Sequence, residues 1–142
     1  NYRIRRAGGR VYLSPNIRSR YYGRQTLGAL WRQFFRYGAW KCRVLAQHPR
    51  SVKPRHLVAP AFVVALVGGS VLGAFSRPIS RLWMLVIALY AVASAIASLR
   101  EAARAGWSLM LRLPLVFATM HLAWGSGFWS AILRRAVRGR WS

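Results

Sequence analysis

Three long uncharged runs dominate the second half of the chain: LVAPAFVVALVGGSVLGAF (57–75), LWMLVIALYAVASAIASL (82–99) and LPLVFATMHLAWGSGFWSAIL (113–133). Their 19, 18 and 21 residues are close to the roughly 20 that an α-helix needs to cross bilayer hydrocarbon. The pattern predicts a helical membrane domain of about three transmembrane helices over 57–142. The first two runs carry small residues four apart, Gly69/Gly73 against Ala91/Ala95 and Ser94/Ser98, which would let them approach closely as a hairpin. Pro78 marks the turn between them, residues 100–112 read as an amphipathic connector, and Pro114 suits the first turn of the third span. Trp83, Trp107, Trp129 and Trp141 fall near the predicted span ends, as in an aromatic belt.

Ahead of the runs the period changes. Leu27, Leu30, Trp31, Phe34, Tyr37, Val44 and Leu45 recur at helical spacing with Arg32, Arg36, Lys41 and Arg43 between them, and Pro49 closes the segment. One helix is predicted over 25–48, within a segment 25–56 of amphipathic interfacial helix and linker. Residues 1–24 read as a helix end (1–7), a Gly8-Gly9 stop, a strand (10–13), a Ser14-Pro15-Asn16 turn and a second extended piece, IRSRYYGR. Too small to bury a core, this segment is expected to complete an α/β domain lying upstream of Asn1; a disordered basic arm is the alternative.

Lys and Arg number 23 against one acid, Glu101, for a formal charge of +22. Such an excess points to nucleic acid or to an anionic membrane, and three uncharged runs favour the membrane over a nucleic-acid partner. Fourteen of the 23 basic residues lie in 1–56, which places that side in the cytoplasm. Three crossings would then leave RRAVRGRWS (134–142) outside, against the same rule. Either the third run is re-entrant or interfacial, broken at Gly125-Ser126-Gly127, or the heavy N-terminal charge overrides the tail, and three crossings are the favoured reading.

One acid also limits the chemistry. No carboxylate pair exists for acid–base work and no acidic cluster for a divalent metal. Cys42 is the single cysteine, and His48, His56 and His121 lack metal-ligand spacing, so no catalytic and no metal-binding residue is assigned within the chain. A neutral His121 bonding a neighbouring helix competes with a role on a transport pathway. Gln33, Arg36 and Tyr37 share one helix face and could converge on one place, with Arg32 pointing elsewhere. They could equally meet lipid phosphate and the headgroup zone.

NYRIRRAGGRVYLSPNIRSRYYGR, LWRQFFRYGAWKCRVLAQHPRSVKPRHLVAP and the late HLAWGSGF together resemble bacterial family 2 glycosyltransferases of the exopolysaccharide type, such as those of succinoglycan biosynthesis. The resemblance covers almost the whole chain and would correspond to the C-terminal part of a full enzyme. It implies that residues 1–24 are the remnant of a cytoplasmic GT-A domain. The catalytic base and the carboxylates for a divalent metal (Mg or Mn) would then lie upstream of residue 1, leaving the fragment itself inactive. The expected partners are a nucleotide-sugar donor, a glycan or lipid-linked acceptor and membrane lipids, with no nucleic acid. Processive relatives carry Gln-x-x-Arg-Trp on an interfacial helix beside the acceptor site and the donor diphosphate. Gln33, Arg36 and Tyr37 match it with tyrosine in place of tryptophan, which implies substrate binding and puts processivity in doubt. The competing class is a non-enzymatic basic protein that anchors partners at the membrane.

Overall fold

A computed structural model describes residues 2–18, 20, 23–51 and 53–139. Among them the helices are α1 (Tyr2–Arg6), α2 (Leu27–Gln47), α3 (Val58–Gly73), α4 (Arg77–Ala105) and α5 (Arg112–Arg138). Single 3-10 turns lie at Pro49–Ser51, Pro54–His56 and Trp107–Leu109.

Local chemistry sets the ends of these helices. Thr26 is extended, and its hydroxyl accepts from the Ala29 amide at 3.2 Å, satisfying one of the amides that a helix start leaves without a partner. At the far end of α2 the His48 amide donates to the Val44 carbonyl, and Pro49 blocks continuation. Gly8 ends α1 at φ 78°, a backbone region that glycine enters without a Cβ clash. Gly106 ends α4 at φ 118°.

The largest seam joins α2 to α5, and small residues make it close. A Cβ on Gly38 would collide with the Trp124 carbonyl, and one on Gly127 with the Phe35 carbonyl. Around this approach Cys42, Leu45, Phe128 and Ala131 form the buried cluster, with Ala39, Trp124 and Ile132 packed on it. Helix α3 lies along the other side of α5: Gly125 leaves no room for a Cβ against Ala59 and Val63, and the Trp129 indole donates to the Pro60 carbonyl at 2.9 Å. Helices α3 and α4 form a hairpin in which Gly69 faces the Trp83 ring and Gly73 faces Ser80. The Trp83 indole donates to the Leu66 carbonyl at 3.1 Å.

The α/β remnant and the three spans do not appear. Residues 10–13 are irregular, and no strand occurs among the described residues. Tyr12, Leu13 and Ile17 stand exposed with no neighbouring chain to pair their amides and carbonyls, which a strand requires. The second extended piece lies partly outside the described residues.

Among the described residues one helix, α4, is long and apolar enough to cross a membrane by length and composition. Only 6 % of its apolar stretch is buried against the rest of the chain, unlike the core helix of a water-soluble domain. Helix α3 stops after 16 residues, about 24 Å at 1.5 Å per residue and short of a roughly 30 Å hydrocarbon core. Helix α5 is long enough but is diluted by Thr119, His121 and Gly125-Ser126-Gly127, and it turns its small residues onto α2 and α3. The expected connector is not separate either, since α4 runs on through residues 100–105. Of the belt tryptophans, Trp83 and Trp129 are tied to carbonyls of α3, Trp107 is exposed, and Trp141 lies outside the described residues.

Candidate functional site

Helix α2 presents a stripe at three- and four-residue steps: Ala29, Arg32, Gln33, Arg36, Tyr37, Trp40, Lys41 and Val44. Gln33 sits at the centre of a chain of side chains. Its Oε1 accepts from Arg24 Nε at 3.0 Å, and its Nε2 donates to Tyr37 Oη at 2.8 Å. Tyr37 therefore keeps its own proton to donate to a third group. Its ring meets Phe34 edge-on at 5.7 Å, which restrains the ring without covering it; Tyr37 is 52 % exposed.

Two cavities flank this stripe and share Arg36 and Tyr37. The first, about 330 Å³, is lined by Arg24, Ala29, Arg32, Gln33, Arg36 and Tyr37. Three guanidiniums and an amide in that space make a donor-rich, cationic site with no acid, suited to an oxygen-rich anion. Arg32, expected to point away, belongs to this wall. The second cavity, about 650 Å³, is lined by Arg36, Tyr37, Trp40, Lys41, Val44, His56 and Trp124. Its walls are mostly apolar, with Arg36, Lys41 and His56 as the basic side chains among them.

So the structure brings Gln33, Arg36 and Tyr37 together, and sets beside them Arg24, Lys41, His56 and Trp124, which the sequence did not assign to a site. Arg24 and Lys41 were legible as basic residues at suitable spacing. His56 and Trp124 reach the site only through the packing of α5 and the 3-10 turn, and had no local signal.

His56 is held in place by a hydrogen bond from the Lys53 amide to its Nδ1, 3.1 Å. Burial, and after it the nearby charges of Lys41, Arg55 and Lys53, pushes its pKa down. Burial pushes the Cys42 thiol up, with Arg135 opposing, so Cys42 is a packed residue of the seam rather than a nucleophile. His121 has a structural partner: its Nδ1 lies 3.1 Å from Tyr90 Oη, and the Tyr90 ring stacks on Phe62 at 4.4 Å. Glu101 pairs with Arg104 at 3.6 Å on the exposed end of α4. No group of three or more His, Cys, Asp or Glu gathers among the described residues, so these side chains do not fit a divalent metal.

No family model matches the chain, and no solved structure matches it. Over 149 aligned residues it is 28 % identical to succinoglycan biosynthesis protein ExoA of Rhizobium meliloti (strain 1021), covering 96 % of this chain and 41 % of that protein. The chain thus spans about two fifths of the length of the curated relative that it matches.

Proposed function

We propose that this chain forms the membrane-associated part of a glycosyltransferase of exopolysaccharide biosynthesis, moving a sugar from a nucleotide-diphospho-sugar to a lipid-linked or polysaccharide acceptor. The observation that carries this reading is the likeness, along 96 % of the chain, to a protein named for succinoglycan biosynthesis. The cavity around Gln33 suits it chemically. As a glycosidic bond to a diphosphate breaks, negative charge grows on the leaving group, and fixed guanidiniums stabilise that charge more than they stabilise the bound donor. Arg24, Arg32 and Arg36 supply such groups around one space. Gln33, with Oε1 held by Arg24, orients Tyr37, whose hydroxyl proton is available to a sugar oxygen.

These residues bind and orient. Removing the acceptor proton and holding the divalent metal that the resemblance implies are not tasks for them, because none of them is a carboxylate and Glu101, on the exposed end of α4, lines neither cavity. The basic excess of residues 1–56 favours the cytoplasmic face for the site, the side that nucleotide-sugars occupy.

The test is sugar transfer from radiolabelled nucleotide-sugars by membranes containing the longest protein that carries this chain. Tyr37→Ala and Gln33→Ala should raise the KM for the acceptor. A basic anchoring protein without activity, the competing class, would show no transfer with any donor.

A further inference from the structure

The second cavity differs in kind from the first, and that difference identifies a ligand. Three of its seven lining side chains, Arg36, Lys41 and His56, are basic. The other four, Tyr37, Trp40, Val44 and Trp124, offer apolar surface, and no acid lines it. We propose that this cavity binds one acidic membrane phospholipid, its phosphate held by Lys41, Arg36 and His56 and the upper part of an acyl chain lying against Trp40, Val44 and Trp124. This inference does not depend on sugar transfer.

Size argues for a lipid over a free anion. At about 650 Å³ the space lies within the roughly 300–1,000 Å³ of sites that enclose drug-sized ligands, and a phosphate alone would leave the apolar wall uncovered. Location argues the same way. His56 ends the 3-10 turn that leads directly into apolar α3 at Val58, and α4, paired with α3, exposes its apolar surface. Trp40 is 67 % exposed beside Lys41, an amphipathic pairing suited to the headgroup zone of a bilayer.

The donors are prepared as well. Because His56 Nδ1 accepts from the Lys53 amide, the neutral ring carries its proton on Nε2 and donates even without a charge. Lys41, Lys53 and Arg55 crowd positive charge around it with no acid to offset them, and a phosphate would relieve that repulsion.

Lys41, Val44, His56 and Trp124 line this cavity alone, which separates its test from that of the sugar site. The protein is placed in nanodiscs of zwitterionic lipid containing increasing mole fractions of dibrominated phosphatidylglycerol, or of dibrominated phosphatidylcholine as control, and tryptophan quenching is recorded. Phosphatidylglycerol is expected to quench saturably at low mole fraction and phosphatidylcholine only in proportion to its amount. Lys41→Gln should weaken the saturable component about five-fold, the effect of one cation beside an anionic headgroup, and His56→Ala, which removes a neutral donor, should weaken it by less. Val44→Phe, which fills the apolar wall and keeps every charge, should abolish it, with circular dichroism reporting that the helices persist. Quenching that rises linearly and equally in all variants would overturn the proposal, leaving a diffuse layer of lipid. Displacement of the lipid by dissolved inorganic phosphate or diphosphate would also overturn it, in favour of a simple anion site.

Discussion

Replacing Gly38 by alanine adds one methyl group at the tightest point of the α2–α5 seam. The new Cβ would stand 2.8 Å from the Trp124 carbonyl carbon and 3.0 Å from the Phe128 amide nitrogen. The Trp124 carbonyl oxygen is nearer still, and since non-bonded heavy atoms rest at about 3.5 Å, α5 must retreat by on the order of 1 Å or more. Both neighbours are main chain, and no rotamer change can absorb the clash. Overpacking of this kind costs about 1–3 kcal/mol, while Gly→Ala in a helix interior returns about 0.5–1 kcal/mol, for a net loss of roughly 1–2 kcal/mol. Gly28→Ala is the matched control on the same helix: its Cβ meets only the flexible end of Arg32, at 3.8 Å, so it should be neutral or slightly stabilising. The assay is unfolding in mixed micelles followed by far-ultraviolet circular dichroism, with the two variants separated by about 2 kcal/mol. Equal stability of the two, or a more stable Gly38→Ala protein, would refute the close seam and the placement of Trp124 beside α2 with it.

Three other outcomes are expected. Tyr90→Phe removes the partner of His121 and should destabilise the protein by about 0.5–1.5 kcal/mol in the same unfolding assay; no change would mean that the pair is not formed. The depressed pKa of His56 means that the unfolded chain takes up its proton first. Stability should therefore fall as pH drops through about 6.5, the ordinary histidine value, and level off below the folded pKa; His56→Gln should remove that component, and an unchanged pH profile in the variant would contradict the assignment. Cys42, buried with its thiol pKa raised, should react slowly with maleimide at pH 7 and rapidly after denaturation, whereas fast labelling of the native protein would show an open seam.

What the sequence revealed was local. Pro49 closes α2 and Gly8-Gly9 ends α1 through their own backbone preferences, and Pro78, read as the turn, sits in the first turn of α4 just beyond the break after α3. The grouping of Gln33, Arg36 and Tyr37 followed from helical spacing. The failures were of tertiary origin. A strand at 10–13 needs a partner strand, which no local pattern supplies. Run length alone suggested three equivalent spans, although Gly125 and Gly127 serve close packing against Ala59 and Phe35. The Gly69/Gly73 face meets Trp83 and Ser80 near the turn, not the Ala91, Ser94 and Ser98 face, which shares a cavity with Phe117 and His121 through Ser94. Arg32 faces the same cavity as Arg36, because Arg24 folds back across that side of α2 and closes it. The second cavity needs Trp124, remote in sequence from α2 and brought there by the glycine contacts.

The sugar-transfer reading meets its most direct test in a comparison of two arginines in the longest protein that carries this chain. Arg36→Lys keeps the charge and the attraction to the membrane but loses the planar fork, whereas Arg134 is exposed on α5 and lines neither cavity. At matched membrane abundance, Arg36→Lys is expected to lower the transfer rate by about 10²–10³, the typical effect of losing one contact to a developing charge, with Arg134→Lys close to the parent rate. Equal, small effects of the two substitutions would contradict the account and leave α2 as a basic helix that holds the chain to lipid.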